Sequence, residues 1–264
     1  MPVTKALTIA GSDSGGGAGI QADLKTFFAL GVYGTSIVTA VTAQNTRGVQ
    51  AVSELPPDFV AQQFDSVLPD IGAQAAKTGM LASIPLVTAV SKKIAEYQIR
   101  RLVVDPVMVA KGGHPLLRAE ARQALVEHLF PLALIVTPNL HEAGLLAGLE
   151  VTDRPSMEEA ARRIKALGPA HVIVKGGHLA HEACDLLFDG HSFRAYTSQK
   201  LETVCTHGAG CTFSAAITAG LAQGRPVPEA VAAAKDFVTR AMRAGFRIGH
   251  GHAPLNHRAG WVGD

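Results

Sequence analysis

Short apolar runs recur along this chain at intervals filled by longer stretches of helical periodicity, and that alternation leaves few folds open. Residues 7–10, 36–41, 75–78, 102–105, 134–137 and 171–175 read as strands, and residues 20–30, 59–68, 85–97, 119–130 and 157–167 as helices. A strand, a helix and a further strand join parallel neighbours through a crossover, so the pattern predicts an α/β fold on a mostly parallel sheet. The near-continuous apolar character of the strands fits a sheet with helices on both faces. Residues 184–196 differ, because Asp189-Gly190 separates two short apolar runs and predicts a hairpin that adds an antiparallel edge. Two helices, residues 211–223 and 228–244, precede a tail rich in glycine and histidine. With no low-complexity linker or internal repeat, residues 1–264 are read as one domain.

A hydrophobic content of 47% over 264 residues suffices for a large core. The formal charge of +2, with no cluster of Lys or Arg along an element, argues against a nucleic-acid partner. Cys184, Cys205 and Cys211 form no C-x-x-C pair, which suits a reducing compartment. The apolar run after Lys5 is too short for a signal sequence and no run reaches membrane length, so a cytoplasmic location away from membranes is expected.

Ligands of open α/β sheets sit beyond the carboxyl ends of the strands, and the polar residues of this chain follow its strands. The loop Thr206-His207-Gly208-Ala209-Gly210-Cys211-Thr212 opens directly onto an apolar helix. First-turn N–H groups and the helix dipole make that junction a candidate anion hole. A dinucleotide site is also suggested by Gly17-x-Gly19-x-x-Ala22, but the acid expected after the second strand is replaced by Gln44 and Asn45, with none before Glu54. No Gly-Lys-Ser or Gly-Lys-Thr occurs, so a Walker A loop is absent.

The run from Gly11 to Lys25 (GSDSGGGAGIQADLK), Asp105-Pro106-Val107-Met108, Asn139-x-x-Glu142, Lys175-Gly176-Gly177-His178, Gly208-Ala209-Gly210-Cys211 and the ending from Gly249 to His257 span nearly the whole chain. Together they resemble the hydroxymethylpyrimidine/phosphomethylpyrimidine kinases of thiamine biosynthesis, members of the ribokinase-like superfamily. The resemblance implies a three-layer α/β/α fold, ATP as phosphoryl donor and Mg²⁺. It also implies two transfers, first to the hydroxymethyl group of 4-amino-5-hydroxymethyl-2-methylpyrimidine and then to the monophosphate, and a homodimer.

Phosphoryl transfer rests on positioning and charge neutralisation, which distributes the roles. The N–H groups around Gly208, Ala209, Gly210 and Cys211 are expected at the transferred phosphoryl, and Lys175 at the donor phosphates. Thr206 joins the phosphate-binding set. Asp105, Asn139 and Glu142 would arrange magnesium, partly through water; alternatively Asp105 caps a turn and Glu142 stabilises the start of its helix. Lys77 is expected at the acceptor's phosphate in the second step, or else at the surface. Gln44 can answer the amine donor and ring-nitrogen acceptor of an aminopyrimidine edge with one amide; the alternative is a loop glutamine bonded to backbone. Gly11, Asp23 and Val107 match family positions lining the pyrimidine pocket, although Asp23 alternatively favours an early helical turn.

Cys211 stands where the wider superfamily has aspartate. A thiol at a helix N-terminus is expected to have a lowered pKa and to act as base toward the hydroxyl, or merely to pack. A thiol that stays neutral would not repel the second acceptor, so Cys211→Ala should slow the first transfer more and Cys211→Asp the second. His250, His252 and His257 fit no zinc spacing and read as structural. Three alternatives remain: a pyridoxal kinase, whose substrate lacks the aminopyrimidine edge, a nicotinamide-dependent oxidoreductase, disfavoured by the missing acid, and a non-catalytic pyrimidine-binding protein.

Overall fold

The computed structural model describes residues 3–109, 113, 116, 119–177 and 183–260, so His178 of the Lys175 run lies outside the described residues. Strand β1 (Lys5–Ser12) has its six inner residues buried, as a central strand covered on both faces must. It is followed by α1 (Gly19–Ala29), β2 (Tyr33–Asn45), β3 (Gly48–Glu54), α2 (Pro57–Asp70), β4 (Ala75–Thr78), α3 (Ile84–Glu96) and β5 (Leu102–Val104). Then come α4 (Ala119–His128), β6 (Ile135–Val136), α5 (Leu140–Ala147), α6 (Arg154–Lys165), β7 (His171–Gly176), β8 (Ala183–Phe188) and β9 (Phe193–Ser198). A short β10 (Cys205–His207), the helices α7 (Ala209–Ala222) and α8 (Val227–Arg243) and β11 (Ala253–Pro254) end the order.

Nine strands form one sheet in the order β3-β2-β1-β4-β5-β6-β7-β8-β9. The strands from β2 to β7 are parallel, while β3 at one edge and β8 and β9 at the other run antiparallel to their neighbours. Alternating side chains supply two cores. Leu102, Val104, Val136, Val172 and Val174 pack with Phe64, Leu86, Leu125, Ala143 and Met157, which belong to the layer of α2 to α6. Val103, Ile135, Ile173 and Leu187 pack with Phe27, Phe213 and Phe237, from α1, α7 and α8. The period of two along each strand thus builds the α/β/α sandwich expected from the sequence.

The anticipated hairpin is present, with Asp189 accepting from His191 N–H and Ser192 N–H and Gly190 at φ 101° turning the chain between β8 and β9. Phe188 and Phe193 stack across it at 4.4 Å. Four elements were not anticipated. Strand β2 runs on to Asn45 and turns back as β3, the antiparallel edge of the sheet, where none of the β3 residues is buried and no core-facing apolar period marks the strand. Helix α5 has only eight residues, and the Asn139/Glu142 pair read as site chemistry is also its capping box. Strands β10 and β11 are three- and two-residue segments fixed by each other.

Candidate active site

The strand order reverses around β1, since the chain goes to β2 on one side and later returns to β4 on the other. Beyond the carboxyl ends of these strands lies an open cleft of about 620 Å³. Every site residue singled out from the sequence lines it: Gly11, Asp23, Gln44, Lys77, Asp105, Val107, Asn139, Glu142, Lys175, Thr206, Gly208, Ala209, Gly210 and Cys211.

Two glycine loops meet there, and only one has donors to spare. In the loop after β1, the Asp13 carboxylate accepts from the N–H groups of Gly15, Gly17 and Ala18 at 2.8, 3.1 and 2.8 Å. The chain's own anion therefore fills this nest. Burial opposes the Asp13 charge, but the His207 and backbone hydrogen bonds hold its carboxyl below the usual carboxylate range. At the start of α7, by contrast, the N–H groups of Ala209, Gly210 and Cys211 have no acceptor among the described residues. Gly208, at φ 83°, makes this junction possible, because a methyl group there would lie 1.8 Å from Gly17 O. A methyl group on Gly210 would lie 3.4 Å from Lys175 Nζ, so an ammonium group adjoins the free N–H groups. The combination of open first-turn donors and a cation is suited to a phosphoryl group.

The charged floor of the cleft consists of two ion pairs. Lys175, near the end of β7, donates to Asp105 Oδ1 at 3.0 Å, and Asp105 also accepts from Thr137 Oγ1 and Ser214 Oγ, each at 3.1 Å. Lys77 is completely buried and donates to Asp23 Oδ1 at 2.7 Å, while Thr8 Oγ1 donates to Asp23 Oδ2 at 2.7 Å. A surface role for Lys77 is therefore excluded, and Asp23 does more than favour a helical turn. Burial works against the Lys77 charge, yet Asp23, Cys211 and Asp105 around it push its pKa up. The Cys211 thiol contradicts the expected lowering: burial pushes it up to about 11, although Lys77 favours the thiolate. The dipole argument failed because desolvation of the thiol, with the charges of Asp23 and Asp105 near it, outweighs the helix end.

Asn139 and Glu142 cap α5 reciprocally, Asn139 N–H to Glu142 Oε2 at 2.8 Å and Glu142 N–H to Asn139 Oδ1 at 2.9 Å. Burial raises Glu142 and Lys175 opposes it, but with Asp105 nearby its carboxyl is pushed up to about 7. Among the described residues no group of three or more His, Cys, Asp or Glu side chains could hold a metal ion. Gln44, on the exposed arm of β2, receives a 3.2 Å hydrogen bond from Thr42 Oγ1 at its side-chain oxygen, and its NH₂ has no partner among the described residues. Its backbone N–H and carbonyl are both bonded to the Ser14 hydroxyl. At Gly11, a methyl group would lie 3.3 Å from Met80 Cε, so the glycine lets the backbone and Met80 pack closely on this wall of the cleft.

Sequence reasoning missed Asp13, His207, and the Asp185–Lys235 pair at 2.8 Å on the cleft's far side. The position of His207 directly before Gly208 was the available signal for the second. His257 is buried, with Nε2 3.0 Å from Thr212 Oγ1, which agrees with a structural role.

The phosphomethylpyrimidine kinase model matches residues 13–256. The chain belongs to that family. Over 97% of its length it is 53% identical to the thiamine biosynthesis bifunctional protein ThiED of Geobacter sulfurreducens, of which it spans 53%. It is 50% identical, over 99% of its length and 97% of the relative's, to a hydroxymethylpyrimidine/phosphomethylpyrimidine kinase of Streptomyces coelicolor. Among solved structures, the ADP complex of Bacillus subtilis pyridoxal kinase superposes with a TM-score of 0.91 at 45% identity, covering 98% of both chains. This family member is a kinase with a ribokinase-like fold. No helix among the described residues is long and apolar enough to cross a membrane.

Proposed function

We propose that the chain, acting as one domain over residues 1–264, uses ATP to phosphorylate 4-amino-5-hydroxymethyl-2-methylpyrimidine and then its monophosphate. The observation that carries this reading is the row of unpaired N–H groups at Ala209, Gly210 and Cys211 beside Lys175, in the cleft that also holds Gln44. The hydroxymethyl oxygen attacks the γ-phosphorus as the bond to the β-phosphate oxygen breaks, and the hydroxyl proton leaves to solvent or a nearby base. In the second transfer a phosphate oxygen of the product attacks in the same way. The N–H groups and Lys175 stabilise charge on the transferring oxygens, and Gln44 holds the aminopyrimidine edge. Lys77 balances the floor beneath the acceptor, with Asp23, Gly11 and Val107 forming its walls; Asn139 and Thr206 lie toward the ATP phosphates.

Burial, with the Asp105 charge adding to it against Lys175, pushes the Glu142 carboxyl up to about 7, so a further cation there would favour its ionised form. Asp105 and Glu142 would hold Mg²⁺, partly through water, which when bound would neutralise phosphate charge. A cytoplasmic homodimer completes the reading. The test is a mass-spectrometric time course with ATP, Mg²⁺ and the pyrimidine, and a parallel reaction with pyridoxal. Monophosphate followed by diphosphate is expected. Phosphate on pyridoxal alone would assign the activity carried by the Bacillus subtilis relative, and no product in either would leave a binding protein.

A further inference from the structure

A contact between two side chains helps to join the two glycine loops of the cleft. His207 Nε2 lies 3.0 Å from Asp13 Oδ2, and both side chains are largely buried, 12% and 3% exposed. Asp13 organises the first loop through Gly15, Gly17 and Ala18, whereas His207 is the last residue of β10, directly before Gly208 and the free N–H groups. The packing leaves no tolerance around this contact. A methyl group on Gly17 would lie 2.3 Å from His207 Cδ2 and 3.3 Å from Pro254 Cβ, and His207 pairs in register with Pro254 of β11.

We propose that His207 and Asp13 are a positioning pair, which fixes the phosphoryl-binding N–H groups against the loop at the acceptor end of the cleft. Both side chains line the cleft but are engaged with each other and, for Asp13, with backbone N–H groups, so the pair acts by setting the distance between the two loops. The inference rests on the kinase reading for its catalytic consequence but not for its structural one. Because Asp13 is already satisfied by backbone donors, its remaining interaction with His207 serves the second loop. An error of about 1 Å in such an alignment can cost about 10²-fold in turnover without weakening binding.

The experiment compares His207→Leu, His207→Gln and Gly17→Ala with the parent, pairing steady-state kinetics on the pyrimidine with amide hydrogen exchange. Glutamine can return an N–H donor near Nε2, whereas leucine cannot; the Gly17→Ala methyl displaces the ring while leaving both partners in place. Expected for His207→Leu and Gly17→Ala are a fall in kcat of about 10²-fold and a KM within about threefold for both substrates. His207→Gln should recover at least about tenfold of that loss. Exchange should rise together in peptides covering residues 13–18 and 207–211 in the two impaired proteins. In Gly17→Ala/His207→Leu both changes break the same contact, which can be lost only once, so the combined loss should be smaller than the product of the two. Equal impairment by Gln and Leu, unchanged kcat, or faster exchange in only one loop would overturn the proposal. The exchange arm needs no substrate, so a parent inactive on the pyrimidine would count against the kinase reading alone.

Discussion

Cys211 shows how a residue's surroundings override its position. A helix N-terminus lowers a thiol's pKa in isolation, but here desolvation, with the Asp23 and Asp105 charges nearby, pushes the thiol up to about 11. It is protonated at neutral pH and adds no charge beside an incoming phosphate. Cys211→Asp would place a further carboxylate there, so kcat/KM for the monophosphate should fall at least about tenfold more than for the alcohol, about 1.4 kcal/mol of added repulsion. Cys211→Ala, which removes only a neutral group, should slow both transfers alike, a revision of the sequence expectation. Lys77 and Asp23 present the opposite case, a charge pair held in the dry floor. Lys77→Met would orphan Asp23 beside the Thr8 hydroxyl and should destabilise the fold by about 3–5 kcal/mol in urea unfolding, most of it regained in Lys77→Met/Asp23→Asn.

The exposed β2–β3 arm carries Gln44 at one end and is tied down at its turn by the tail. Thr46 O accepts from His252 N–H at 2.7 Å, and Thr46 Oγ1 from Gly251 N–H at 3.2 Å. A methyl group on Gly251 would lie 2.0 Å from Thr46 O, so Gly251→Ala should release the arm. The expected outcome is an increase of about tenfold in KM for the pyrimidine, about 1.4 kcal/mol, with KM for ATP unchanged; equal changes in both would detach the arm from substrate recognition. Neither β3 nor the short β10 and β11 was legible in the sequence. The β3 residues are half-exposed or exposed and show no core-facing period, while β10 and β11 are too short to show one and exist only because each pairs with a distant segment.

Across the whole molecule the tail also closes over α7 through His257. Burial, with the Lys25 charge, lowers this histidine from 6.5 to about 4, so it is neutral in the folded protein. As pH falls from 6.5 toward about 4 the unfolded chain binds a proton that the folded chain excludes, and stability is lost over that window. The contribution is on the order of 3 kcal/mol, and denaturant unfolding should show a correspondingly shallower acid loss in His257→Gln, which keeps an acceptor for Thr212. The central strands and most helices could be read directly, because their apolar residues repeat with periods that backbone geometry imposes locally. The cleft's residue set was likewise legible, since strand ends of a parallel sheet converge on one rim and the family motifs fall there. Tertiary structure alone decided which glycine loop keeps free donors, that Lys77 is buried, that Cys211 stays protonated, and that Asp13 meets His207. The first depends on how residues 13–18 wrap around the Asp13 carboxylate, and the other three on desolvation or on a partner far away in the chain, which have no local signature.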